Sequence, residues 1–215
     1  MNKGRVEAFS DGVFAIAITL LVITIAQPAH YDKLAHDLFD QWPSLAAYVV
    51  SFIVIGIMWL NHHTIFSHLQ TIDRGGFYLN LILLMTIVFI PYPTGVFGEA
   101  LRKAHDLGAQ PGYSNAATTA AAFYSATMTI NALAWVALWL YASTGRRLLQ
   151  AGFPESQRVM STVLFAIGPL FYAAAIGLAF VNPYLCLSFH AALALYYALD
   201  PISRRVGREQ AGLTK

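Results

Sequence analysis

Apolar residues gather into six long segments separated by short polar stretches, running roughly over 6–26, 44–66, 75–97, 115–142, 159–180 and 183–202. Each reaches the roughly 20 residues that a helix needs to cross the hydrocarbon core of a bilayer. In lipid a backbone must satisfy its own hydrogen bonds, and a helix does so within one segment. The pattern predicts an all-α membrane protein with six transmembrane helices, forming one domain over 1–215. Only Val181, Asn182 and Pro183 separate the fifth and sixth segments. Asn-Pro is a turn signal, and Pro suits a first helical turn, so these two segments are expected to form a tight hairpin. The last three segments are rich in aromatic residues and Ala, including Ala116-Ala117 and Ala120-Ala121-Ala122. Small residues let helices approach closely in lipid, which gives this half the character of a scaffold.

Composition agrees. Apolar residues make up 57% of the chain and charged residues 11%, against roughly a quarter in soluble domains. The expected partner is therefore the lipid bilayer. A net charge of +2 gives no basis for nucleic-acid binding. The single cysteine, Cys186, lies inside an apolar span and has no partner for an intrachain disulfide. The N-terminus imitates a signal peptide, with Lys3, Arg5 and an apolar run. Glu7 and Asp11 do not suit such a leader, and five further spans follow, so the first segment is expected to stay as a helix.

Placement of charge sets the topology. With six spans both termini share a side, which collects Lys3, Arg5, Arg74, Arg146, Arg147, Arg158, Arg204, Arg205, Arg208 and Lys215. Only Lys33, Arg102 and Lys103 fall on the other side, near an acidic mouth of Asp32, Asp37 and Asp40. The positive-inside bias then puts both termini in the cytoplasm.

Candidate chemistry concentrates at the inner ends of the first three spans. The first opens with Arg5, Phe9, Ser10 and Asp11 and then stays uncharged from Val13 to Ala26. A charge inside the membrane costs about 2.5 kcal/mol or more, so a retained carboxylate calls for partners. The second span ends in Trp59, His62 and His63, and the third carries Asn80 two turns from its start. All fall at similar depth. Trp59, His62 and His63 are spaced i, i+3, i+4, so they can share one helix flank. Asp11 can accept from an indole, an imidazole or an amide N–H. A hydrogen-bonded knot tying three helices together is expected. Adjacent histidines point about 100° apart and no ligand spacing accompanies them, so no structural metal or other cofactor is expected.

Farther along the first span, Ile16, Leu20 and Ile23 fall on one stripe flanked by Thr19 and extended by Arg5, Phe9 and Gln27. Asp11 points nearly the opposite way. By periodicity alone this stripe is compatible with lipid or core packing.

Arg-x-x-x-Phe-Ser-Asp at the head of a first span resembles the signature of the transmembrane-protein-175 family of potassium channels. The element Trp59-x-x-His62-His63, Asn80 and Pro91-Tyr92-Pro93 look like its bacterial pattern, and the likeness is strongest over about 5–95. The resemblance implies a bacterial inner-membrane homotetramer whose first helices line a central pore. It implies a constriction at Ile16, Leu20 and Ile23 and a selectivity-linked Thr19, with K+ transiently near its hydroxyl. It implies that Arg5, Phe9, Ser10, Asp11, Trp59, His62, His63 and Asn80 form an inter-helix network. Four apolar side chains around an axis can gate by dewetting. The alternative is a proton-coupled transporter relaying through Asp11 and His62 or His63. No reactive-site signature points to an enzyme.

Overall fold

Asn2 starts the first helix by accepting the Arg5 backbone N–H at 3.3 Å, a side-chain N-cap. From there α1 runs over Lys3–Ile23. The computed structural model describes residues 2–28, 31–106 and 111–198. After α1 come a short α2 (Leu34–Asp40), α3 (Trp42–His68), α4 (Arg74–Phe89), α5 (Pro91–Asp106), α6 (Pro111–Ser143), α7 (Glu155–Val181) and α8 (Pro183–Ala198). The described residues contain no strand, only an isolated antiparallel bridge between Leu69 and Leu149. Five helical stretches are long and apolar enough to cross a membrane: Lys3–Ile23, Trp42–His68, Arg74–Asp106, Ser114–Arg146 and Glu155–Val181. The protein is a multi-pass membrane protein. The sixth expected span, 183–202, corresponds to α8 as far as Ala198. Its last four positions, and the basic residues Arg204, Arg205, Arg208 and Lys215, lie outside the described residues.

The third span is longer than its hydropathy suggests, because α4 and α5 form one apolar rod that ends at Asp106 rather than near 97. Pro91 contributes no N–H, and Ile87 O, which that N–H would have reached, accepts from Ile90 N–H at 3.1 Å instead. Beyond residue 97, Arg102 bridges Glu99 and Asp106 at 2.7 and 2.8 Å. These i, i+3 and i, i+4 pairs sustain the last turns after the apolar run has ended.

Val6, Ser10, Phe14, Ala17 and Leu21 form the buried face of α1, which packs on α3, α4 and α5. In the second half α6 lies along α7 in the longest helix contact of the fold. Ala117, Ala121 and Ala142 of α6 and Ala175 and Ala179 of α7 are fully buried, as close packing of small residues requires. Asn182 turns the chain between α7 and α8 by accepting the N–H groups of Tyr184 and Leu185 at 2.8 and 3.1 Å.

One end of the bundle is clasped. Gln70 N–H donates to Leu148 O at 2.8 Å and Gln150 N–H to His68 O at 3.0 Å, joining the α3–α4 connection to the α6–α7 connection. Beside them, Asp73 accepts from Gly76 N–H at 2.8 Å, from Tyr141 Oη at 3.0 Å and from Arg147 Nε at 3.1 Å. The Gly76 N–H first, then Tyr141 and Arg147, hold the Asp73 carboxyl below the usual carboxylate range. Lys3, Arg74, Arg146, Arg147 and Arg158 all sit at this end. At the other end Trp42 packs against His105 and Tyr184.

Candidate functional site

The N-terminal half of α1 meets α3 as an antiparallel ladder of polar rungs. Lys3 Nζ donates to Phe66 O and Leu69 O at 2.9 and 3.0 Å, covering carbonyls at the end of α3. One turn on, Glu7 Oε1 lies 3.2 Å from His63 Nδ1. One turn further, Asp11 Oδ1 accepts the Trp59 indole N–H at 2.8 Å. The spacing i, i+4, i+8 on α1 matches the reversed order Phe66, His63, Trp59 on α3. The Trp59 and His63 rings stack at 6.1 Å, so the outer rungs brace each other.

A second, fully buried set lies beside the ladder. Ser10, His62 and Asn80 are each essentially inaccessible. Ser10 donates its hydroxyl proton to Val6 O at 2.9 Å, so toward Asn80 it can only accept. The amide NH2 of Asn80 therefore faces Ser10, at 3.0 Å, and its Oδ1 faces His62 Nε2, at 2.8 Å. His62 must then carry its proton on Nε2, which leaves Nδ1 as a bare lone pair. That atom indeed has no partner among the described residues. Phe66 stacks on the imidazole at 4.2 Å, with the Phe14 edge at 5.4 Å. Donors run in one direction, from His62 through Asn80 and Ser10 to Val6 O.

Of the expected network, Ser10, Asp11, Trp59, His62, His63 and Asn80 are brought together, with two changes from the sequence reading. Trp59, His62 and His63 do not share one flank: His62 turns into the core, while Trp59 and His63 stay on the ladder. The buried centre is Asn80 rather than Asp11, which is only half-buried. Arg5 and Phe9 are not drawn in. Both are exposed, Phe9 at 52%, on the stripe with Ile16, Thr19, Leu20 and Ile23. Glu7 and Lys3 take part without having been expected. The available signal was their line with Asp11 at four-residue intervals.

Further polar chains tie the other helices. Thr94 donates to Ile90 O, so Ser51 donates to Thr94 at 2.9 Å and Tyr124 Oη to Ser51 at 2.9 Å. Cys186 donates to Ala175 O at 3.5 Å, so Ser125 donates to Cys186 at 3.3 Å and His190 Nε2 to Ser125 at 3.0 Å. Asn131 donates to Thr86 at 2.8 Å, and Thr86 to Leu83 O at 2.7 Å.

The exposed face of α1 is apolar apart from Arg5 and the Thr19 hydroxyl, and Gln27 follows beyond its end. Ile16 is 57%, Leu20 36% and Ile23 74% exposed. Thr19 donates to Ile16 O at 2.8 Å. No group of three or more metal-ligating side chains occurs among the described residues.

Residues 5–91, which carry the Ser10–His62–Asn80 set and the α1–α3 ladder apart from Lys3, match the family described as "Endosomal/lysosomal potassium channel TMEM175". A protein of Streptomyces collinus named as a potassium channel is 45% identical over 205 residues, covering 94% of this chain and 95% of that one. The chain belongs to the TMEM175 family of potassium channels. Its fold is the family's: the crystal structure of a lysosomal potassium-selective channel TMEM175 homologue from Chamaesiphon minutus superposes with a TM-score of 0.78 at 37% identity, covering 92% of this chain and 96% of that one. An animal member, the endosomal/lysosomal proton channel TMEM175 of Gallus gallus, is 33% identical over 116 residues, 49% of this chain and 23% of that protein. The family is one of ion channels rather than enzymes.

Proposed function

We propose that this chain forms a potassium-preferring, passively conducting channel in a bacterial inner membrane, as a homotetramer with α1 of each subunit around a central pore. Each subunit contributes six spans with both termini in the cytoplasm. Ile16, Leu20 and Ile23 form the constriction, and Thr19 bears on selectivity. The observation that carries this reading is the split character of α1. One face is buried against α3, α4 and α5, while the other presents Ile16, Thr19, Leu20 and Ile23 outward without cover from its own chain. Relatives along nearly the whole chain are named as potassium channels, which supplies the ion. Thr19 supports the selectivity role through its geometry. Its proton is committed to Ile16 O, so its oxygen lone pairs are free to face a passing cation.

Four Ile16 side chains around an axis would hold water out until the ring widens. Single-channel recording in reconstituted bilayers tests this: Ile16→Asn should raise the resting conductance for K+, and an unchanged conductance removes the gate from Ile16. The transporter alternative draws less support. Asp11 bonds Trp59 and His62 bonds Asn80, so the two groups of its relay are not bonded to each other.

A further inference from the structure

The start of α7 joins an excess of arginine to an exposed apolar groove. Arg146 Nη2 lies 3.4 Å from Glu155 Oε2, and Arg158 grips the same carboxylate through Nε and Nη2. Two guanidiniums thus share one carboxylate, which leaves a net positive charge. Arg158 Nη1 and Arg146 Nε and Nη1 have no acceptor among the described residues. The neighbouring Arg147 is already matched by Asp73. Backbone geometry brings Arg146 there: Gly145 and Arg146 both take left-handed angles, φ 60° and 56°, which turns the chain back over the first turn of α7. For a residue with a Cβ this conformation is uncommon. Directly below, Glu155, Ser156, Val159, Met160 and Val163 line a shallow, open groove along α7. Val159, Met160 and Val163 are about half exposed, and the same flank continues through Ile167 to Leu170, 69% exposed.

We infer that this groove holds an acidic phospholipid, its phosphodiester on the free N–H groups of Arg146 and Arg158 and an acyl chain along Val159, Met160 and Val163. The occupant follows from the order of the chemistry. Positive charge stands at the end of the bundle that gathers most of the described arginines, and unbroken apolar surface runs from it toward the membrane centre. A zwitterionic lipid would bring its own cation to a site that already has a surplus.

The test uses the full chain, purified and stripped of lipid, with thermal unfolding followed as dioleoylphosphatidylglycerol, dioleoylphosphatidylcholine or inorganic phosphate is added. Phosphatidylglycerol should stabilise the protein at concentrations about tenfold below those at which phosphatidylcholine does, and R146Q/R158Q should remove that preference, since each arginine near an anionic surface is worth roughly a fivefold change. Glu155→Gln removes the competing carboxylate and should strengthen binding of phosphatidylglycerol. Circular dichroism checks that the variants are folded; if R146Q/R158Q does not fold, E155Q alone decides by its direction. Equal stabilisation by both lipids, equal stabilisation by inorganic phosphate alone, or weaker binding in E155Q each overturns the assignment.

Discussion

Asn80 is the residue on which the α1–α3–α4 junction depends. Its amide serves a serine on one helix and a histidine on another, and all three residues are buried. Asn80→Leu fills the space but leaves the Ser10 oxygen and the His62 N–H unpaired, at a cost of about 2–3 kcal/mol. Thermal unfolding of the purified variant should show a clearly lowered midpoint, and an unchanged midpoint would show the junction to be held otherwise. Asp11→Ala breaks a rung at the rim of the same junction and should lower expression or assembly, read by gel filtration. Thr19→Ala touches nothing buried; it should leave folding intact and shift the K+/Na+ reversal potential. At this scale the sequence made the polar residues legible, because charge and amides are rare in spans. It did not show which would be central. Burial order depends on helix rotation, and Trp59, His62 and His63 look alike by spacing until α4 places Asn80 beside only one of them. Arg5 and Phe9 share a motif with Ser10 and Asp11 but face the other side of the same helix.

Between elements, the clasp joins the helices that carry the junction to the α6–α7 scaffold. Gly75 is needed there, because a Cβ at that position would lie 2.1 Å from Tyr141 Oη. Gly75→Ala should push Tyr141 off Asp73 and raise hydrogen exchange in 67–73 and 147–150, while the spans stay protected. Acid should loosen the same contact. The Asp73 carboxyl titrates lower when folded than when unfolded, so its contribution is complete above the unfolded value of about 4 and is lost as pH falls through the lower folded value. Exchange protection of 67–73 should therefore persist from pH 7 to pH 5 and fall only well below pH 4; loss by pH 5 would remove Asp73 from the clasp. Five of the spans were legible as hydropathy and the α7–α8 turn as Asn182-Pro183. The clasp was not, since two short polar connections far apart in sequence carry no periodicity. The end of α5 was missed because ion pairs, rather than apolar residues, hold its last turns.

For the whole molecule, the direction of the buried hydrogen bonds has an electrical consequence. The four polar chains through Ser10, Thr94, Cys186 and Thr86 each end on a backbone carbonyl: Val6, Ile90, Ala175 and Leu83. A relay of protons needs each member to hand one on and then turn round to receive the next. An amide carbonyl accepts a proton's attraction but has none to release. These chains are terminated at one end, and reversing any of them would strand a buried donor. Among the described residues these chains therefore offer a proton no onward acceptor. In the proposed tetramer, a proton current would then share the pore proposed for the larger cation. Ile16→Asn should accordingly change K+ and H+ flux in proteoliposomes together. A proton flux that stays constant while K+ flux rises would reveal a separate path through the subunit.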